Sequence, residues 1–350
     1  MPNEKDDEKA LEYLEKAYQL NPGSSFAQVW LGWYYAGNSD VLAADDAKAL
    51  MFFQMAAEQG DDFAMYQLGE MYEGGQAGKQ DMQQALAWYE KAAQSGQINA
   101  SEKLVELYLK GKTDENGQVL VEKDDEKALE YLEKAYEINP DGLYAQVWLG
   151  WFYAGNSEVL EADYEKAVAF YEAAAGQGDA YSMCQLGLIN KNGEYGQPDF
   201  ATMEKWFGQA AELGNKQAAH ELCYMYTRDL TDENGHVLAV YDEEKAFHAL
   251  ERAYMLGDDD RYVLSFLGWF YDGNSDAAQR EPEKAAACFE AAAQQGDGYS
   301  MVRLGKLYLN DKTDLFDPDK AKTWLEKALE TDSREEAQEL LDGMALLTEE

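Results

Sequence analysis

The stretch Trp30 to Asp40 (WLGWYYAGNSD) returns as Trp148 to Glu158 and again as Phe266 to Asp276, each time after a step of 118 residues. The same step carries Trp88 to Trp206 and Trp324, and Thr113–Gly117 (TDENG) to Thr231–Gly235. A chain copied three times almost without a gap is constrained to a repeat architecture, in which each copy buries its apolar face against the next. Apolar residues make up 46% of the chain and aromatic residues 13%, which is enough for a folded core despite a net charge of -39.

Each 118-residue unit contains three smaller ones, marked by an acidic residue three positions before a Lys-Ala or similar pair. The nine markers are Asp6, Asp45, Asp81, Asp124, Asp163, Asp199, Asp242, Glu281 and Asp317, spaced 39, 36 and 43 residues in rotation. Each is expected to cap a helix, because a side-chain oxygen there can accept from the free N–H groups of the first turn; Pro282 and Pro318 fall at the first helical position, where a missing N–H costs nothing. Apolar stripes at helical spacing follow, such as Ala85, Trp88, Tyr89, Ala92 and Ala93. Asn21-Pro22, Gly60, Gly96 and Gly178 stop these helices. A second helix follows with its own stripe, for example Ala27, Trp30, Leu31, Tyr34 and Tyr35. The pattern predicts eighteen helices in nine pairs, with Trp30 in the core.

Leu68-Gly69-x-x-Tyr72 followed by Ala85-x-x-Trp88-Tyr89-x-Lys91-Ala92-Ala93-x-x-Gly96 resembles the Sel-one-like repeat (SLR), a relative of the tetratricopeptide repeat, and the resemblance recurs in register along essentially the whole chain. It implies an all-α, right-handed solenoid over 1–350, with super-repeats 6–123, 124–241 and 242–350. In the family's frame the Leu-Gly helix comes first and the Ala-Trp-Tyr helix second, so the chain opens on a second-type helix and ends on a first-type one. The last helix, about 333–347, carries Glu336, Glu339 and Gly343 and reads as a polar C-terminal cap. No such cap covers the first helix, whose face is expected to meet upstream chain or another surface. Asn190 stands where the other pairs have Tyr, which places local packing there in question. The longest loops, Lys110–Lys123 and Arg228–Tyr241, hold the Asp-Glu-Asn-Gly turn.

Chemistry-bearing residues are scattered. By what replaces them in the repeat, Cys223 and Cys288 read as core and Cys184 as nearer a surface; all three are expected to be reduced. His220, His236 and His248 occupy different repeat positions and read as surface residues. No Ser-His-Asp or Cys-His set, phosphate loop or H-E-x-x-H motif can be assembled, so no enzymatic activity and no cofactor is expected. Taking Gly117 as position 6 of a calcium loop puts Lys112 at position 1 and Lys123 at position 12, so a plain polar turn is expected and no metal site.

One column departs from the core pattern. Trp33, Trp151 and Trp269 share it with Glu70, Glu106, Leu188, Tyr224, Lys306 and Asp342, a mixture incompatible with burial. Two helical turns earlier lie Phe26, Phe63, Tyr144, Tyr181, Tyr262 and Tyr299, on the same face. The resemblance places this face on the concave side of the solenoid. With Tyr66, Glu70, Glu73, His220, Tyr224 and Arg228 it forms the expected partner site, a groove in which aromatic anchors hold a peptide or protein segment of basic character.

The charge balance, 68 acidic against 29 basic residues, opposes binding to nucleic acid or an anionic membrane. The expected function is therefore a monomeric protein-interaction scaffold or adaptor, a role the resemblance also implies. The alternative is an acidic inhibitor or immunity-type protein that blocks a basic toxin or nucleic-acid enzyme. The cysteine pattern favours the cytoplasm; the alternative is export, with the signal outside this sequence.

Overall fold

The computed structural model describes residues 4–231 and 237–348. His236 and the copied turn Asp232–Gly235 lie outside them. By contact density the chain divides into two units, the first ending at Ala174 and the second beginning at Ala175.

The first unit contains α1 (Glu4–Leu20), α2 (Ser25–Tyr35), α3 (Asp46–Ala57), α4 (Asp62–Gly74), α5 (Met82–Gln94) and α6 (Ile98–Lys110), then α7 (Asp125–Ile138), α8 (Leu143–Tyr153) and most of α9 (Tyr164–Gly176). The second contains α10 (Ala180–Lys191), α11 (Phe200–Glu212), α12 (Lys216–Tyr226), α13 (Glu243–Met255) and α14 (Arg261–Trp269), the last running into a π-helical turn, Phe270–Asn274. It closes with α15 (Pro282–Gln294), α16 (Gly298–Tyr308), α17 (Pro318–Ala328) and α18 (Arg334–Thr348). The described residues thus form an all-α repeat solenoid of eighteen helices. Two hairpins, β1 (Lys112–Thr113) with β2 (Val119–Val121) and β3 (Leu230–Thr231) with β4 (Val237–Ala239), interrupt it.

Asp45, Asp81, Asp124, Asp199, Asp242 and Asp317 each accept the N–H three residues on, and Asp163 accepts that of Lys166. Two of the expected caps fail. Asp6 lies inside α1, which starts two residues earlier, and Glu281 precedes α15 without a side-chain cap, its longer carboxylate accepting instead from Lys284 at 2.9 Å. Gly60, Gly96 and Gly178 take φ near +90° after their helices, a conformation that costs glycine nothing.

The signature residues join successive helices. In α2, α4, α6, α8 and α12, and at Tyr271 and Tyr308, the Tyr carbonyl accepts the N–H of the next helix's cap residue; Asp81 N to Tyr72 O is 2.9 Å. Six of these rings also lie under the lysine three residues after that cap, as Lys48 lies 4.7 Å from Tyr35 and Lys166 4.8 Å from Tyr153, a favourable cation–π contact. Asn190 does not break this pattern, because its side-chain Oδ1 replaces the carbonyl and accepts from Asp199 N at 3.0 Å.

The glycine that stands three residues before most of these tyrosines, and before Asn190, is a close-approach site. A Cβ on Gly69 would lie 2.5 Å from the ring of Tyr89, on Gly150 2.7 Å from Tyr171, and on Gly187 2.5 Å from Phe207. Those rings are fully buried. The Asn-Ser pair of the opening stretch is structural too: Asn38, Asn156 and Asn274 donate to the carbonyls of Trp33, Trp151 and Trp269. The serines donate back to Asp7, Asp125 and Glu243.

The loop after α6 was expected to be only a turn. Asp114 does organise one, accepting from Asn116 N and Gln118 N at 2.9 and 2.8 Å, but the flanking Lys112-Thr113 and Val119–Val121 pair as strands, with Val121 buried against the helices.

Cys223 and Cys288 are buried as expected, and Cys184 is buried as well, at 0% exposure, which corrects its assignment nearer a surface. Val302, in the same column, is equally enclosed. Burial pushes the Cys184 thiol up to about 12 and that of Cys288 up to about 11. Because the thiolate is the reactive form, native protein at pH 8 should leave all three thiols unlabelled by a thiol-specific disulfide reagent, while unfolded protein releases three equivalents. Rapid labelling of native Cys184 would contradict this packing.

Candidate functional site

Three helices carry an aromatic ladder at i, i+4 and i+7. On α2 it is Phe26, Trp30 and Trp33, with ring centroids 6.3 and 5.8 Å apart; on α8 it is Tyr144, Trp148 and Trp151, at 6.3 and 5.6 Å. On α14 it is Tyr262, Phe266 and Trp269, the first two 4.7 Å apart. The structure therefore overturns the separation of Trp30 from Trp33. Trp30 is 42% exposed and does not fill the core, whereas Trp33 is half-buried and packs on the cluster around Phe53 and Leu68. The equivalent Trp148 lines a cleft with residues of α4 and α6, whereas no first-type helix precedes α2 among the described residues, and Trp30 and Phe26, the latter 68% exposed, stay open. Trp151 and Trp269 are half-buried like Trp33. The spacing i+4 was the available signal for Trp30, Trp148 and Phe266, the ladder members that the column argument left out.

Between the ladders of the first unit, the same face becomes polar. Phe63 packs half-buried on the α3–α4 cluster. The Tyr66 hydroxyl donates to Glu70 at 3.1 Å, and Gln67 donates to its other oxygen at 3.0 Å. Glu73 takes Lys112 at 2.7 Å, Lys103 at 3.2 Å and the Tyr89 hydroxyl at 2.7 Å. Glu106 pairs with Lys110 at 3.0 Å. The candidate carboxylates of this unit are thus engaged within the fold. Tyr66, Asn99, Glu102, Tyr144 and Trp148 line a cleft of 460 Å³ between α4, α6 and α8.

Burial pushes the Glu73 carboxyl up, but the hydrogen bonds from Lys112 and Tyr89 and the charges of Lys103 and Lys112 outweigh it and hold the group below its usual range. Removing one member of a fully buried pair costs ~3–5 kcal/mol, so Glu73→Gln, at a half-buried site, should cost about 2 kcal/mol at pH 7. A depressed carboxylate stabilises above its unfolded value of about 4.3 and loses that contribution as pH falls through the folded value. The gap between wild type and variant in urea melts should therefore close below about pH 4; a gap independent of pH would show that packing, not charge, is responsible.

In the second unit Tyr224 of α12 meets Tyr262 of α14 and is flanked by His220 of the same helix and by Arg228, two residues beyond its end. Tyr224 stacks on Tyr262 at 4.5 Å, His220 meets the Tyr224 edge at 4.8 Å, and the Arg228 guanidinium lies 4.7 Å from the Tyr224 ring. His220 is more than a surface residue: it is half-buried, with Nδ1 2.6 Å from an oxygen of the buried Asp258. Tyr262, Phe266 and Trp269 with Tyr299 wall a second cleft, of 560 Å³, that also takes in Thr227 and Arg261. Tyr181, at the start of α10, is 38% exposed. Asp272 pairs with Arg303 and approaches Arg280 at 4.0 Å.

This geometry can be set beside known proteins. Matches to the Sel1 repeat cover residues 4–22, 25–61, 62–97, 107–139, 143–179, 180–215, 216–258, 263–297 and 298–330. This chain is a Sel1 repeat protein. The match over 25–61 takes in α2 with α3, so the family's unit begins with the ladder-bearing helix type. Among solved Sel1-type structures, a protective antigen of uropathogenic Escherichia coli with an SLR fold is 25% identical, with a TM-score of 0.69 over 91% of this chain and 63% of that one. A Sel1 repeat protein from Oxalobacter formigenes is 26% identical, with a TM-score of 0.63 over 95% of this chain and 91% of that one. Among curated relatives, chitin synthase regulatory factor 3 of Schizosaccharomyces pombe is 24% identical over 87% of this chain and 32% of its own length. DAP3-binding cell death enhancer 1 of Mus musculus is 28% identical over 61% of this chain and 39% of its own length. The Sel1 repeat chain spans about half the length, or less, of these and of an uncharacterized Neisseria meningitidis relative. Among its described residues no helix is long and apolar enough to cross a membrane.

Proposed function

We propose that this Sel1 repeat chain is a non-catalytic scaffold that holds a segment of another protein on the ladder face of its first-type helices. The observation that carries this reading is the threefold return of a partly open aromatic ladder on α2, α8 and α14. Its outer rings lie beside clefts of 460 and 560 Å³ on α8 and α14 and are open to solvent on α2. Large rings with two side-chain torsions contribute much contact area for little lost entropy, which is why they anchor binding sites. A relative named for regulating chitin synthase and another named for binding DAP3 support a role exercised through a protein partner. The net charge of -39 favours a segment of basic character.

The test is a selection of random peptides on the immobilised full chain, repeated on a variant carrying Trp30→Ala, Trp148→Ala and Phe266→Ala whose circular dichroism matches wild type. Selected peptides should lose binding to the variant. Equal binding by both proteins would sink the proposal.

A further inference from the structure

Glu102 occupies a column filled elsewhere by Val29, Tyr66, Val147, Cys184 and Val302, or by polar side chains that have partners. His220 is 2.6 Å from Asp258, Ser265 donates to Asp297 at 3.2 Å, and Gln338 donates to Asp342 at 2.8 Å. At Glu102 only the backbone carbonyl is engaged, by the Tyr144 hydroxyl at 3.4 Å, and among the described residues the half-buried carboxylate has no hydrogen bond or ion pair. The cations within reach are already committed, Lys103 and Lys112 to Glu73 and Lys110 to Glu106. Burial alone pushes the Glu102 carboxyl above its usual range.

Around this carboxylate stand Tyr66 of α4 and Tyr144 and Trp148 of α8, lining the same cleft; Lys103 and Lys110 also line it, each neutralised by its own acid, Glu73 and Glu106. Aromatic faces about a carboxylate favour a cation, and the apolar stem of a lysine or arginine can lie along the rings while its charged head reaches the acid. We propose that this cleft receives one lysine or arginine side chain of a basic protein segment, with Glu102 as its counter-ion. The proposal rests on the reading of the ladder face as a protein-binding surface. It supplies what the fold leaves out, since a half-buried carboxylate without a partner is costly until a cation arrives.

The test uses peptides selected on the full chain and a double substitution cycle. One position in the selected peptides should be held by Lys or Arg. Replacing it with norleucine should weaken binding to wild type about tenfold or more, the range of charge-assisted pairs, and to Glu102→Gln less than about twofold. An equal loss on both proteins, or no preference for a cation, overturns the subsite. If peptides still depend on the ladder rings in that case, the binding surface survives; if no peptide is selected, both fall.

A second readout needs no ligand. The groups facing Glu102 are Tyr66, Glu70 and Glu73 from α4, Lys103, Glu106 and Lys110 from α6, and Tyr144 from α8. A carboxyl raised by burial destabilises the fold above its unfolded value, so Glu102→Gln should raise Tm at pH 7, with the gain disappearing below about pH 4. A lower Tm for the variant at pH 7 would mean that the carboxylate is satisfied within the fold, and would overturn the proposal.

Discussion

Tyr89→Ala should cost about 4 kcal/mol, within the ~3–5 kcal/mol found when a buried aromatic side chain is cut back to alanine. The ring is completely buried, lies against the helix backbone at Gly69, and ends in a hydroxyl that donates to Glu73 at 2.7 Å. Burial, and then the bond to Glu73, push this phenol far above its ordinary range, which keeps it a donor. The complementary change, Gly69→Ala, puts a methyl 2.5 Å from the ring and should cost about 1–3 kcal/mol as overpacking. The two changes should not add. In a Tyr89→Leu background the cost of Gly69→Ala should fall by about 1 kcal/mol or more, because the obstructing ring is gone. The chain offers a partial precedent: where the opposing column holds Leu132 and Leu250, the glycine column holds Val105 and Cys223, although Leu325 still faces Gly305 at 2.5 Å. Additive costs in urea melts would show that ring and glycine are not in register.

The second large effect is on binding. Anchoring tryptophans commonly cost 2 kcal/mol or more when truncated, so the triple change at Trp30, Trp148 and Phe266 should weaken a selected peptide by about 100-fold or more. The choice of rings matters. Trp30 is 42% exposed and expendable to the fold, whereas Trp33 and Trp151 pack half-buried on core clusters; Trp148 does so too, so the variant is compared with wild type only once its melting as well as its circular dichroism has been matched. Salt separates the contributions. Ring contacts should persist from low to physiological salt, while attraction to a chain of net charge -39 should fade. Binding that vanishes with salt and ignores the rings would favour an electrostatic inhibitor over a scaffold.

The architecture was legible in the sequence because periodicity encodes it directly. Caps, glycine stops and stripes name the helix ends, and the 118-residue step aligns columns that can be compared with one another. What periodicity misses is local substitution of one atom for another. Asn190 looked like a defect until its side-chain oxygen was seen to take over the role of a carbonyl, and Glu281 looked like a cap although one extra methylene carries its carboxylate to Lys284. The ladder face was half legible. Column mixtures showed that something was exposed, yet Trp30 and Trp33 exchange their expected environments because exposure depends on which helix stands beside each one. The carboxylates chosen for their sign are mostly engaged within the fold. Glu102, in a column read from the sequence as nearer a surface, was not among those chosen, and its carboxylate has no partner among the described residues.

The tyrosine carbonyl that accepts the next cap's N–H has a further consequence for how such a chain can change over generations. The seam between neighbouring helix pairs is made by backbone atoms and by a small residue packed on one buried ring, so it asks almost nothing of the residues one turn away on the outward surface. Rings, acids or lysines can be exchanged there as interchangeable inserts while the joinery stays constant. Tandem duplication of a three-pair block then multiplies a finished recognition surface in one event, with no need to rebuild it residue by residue.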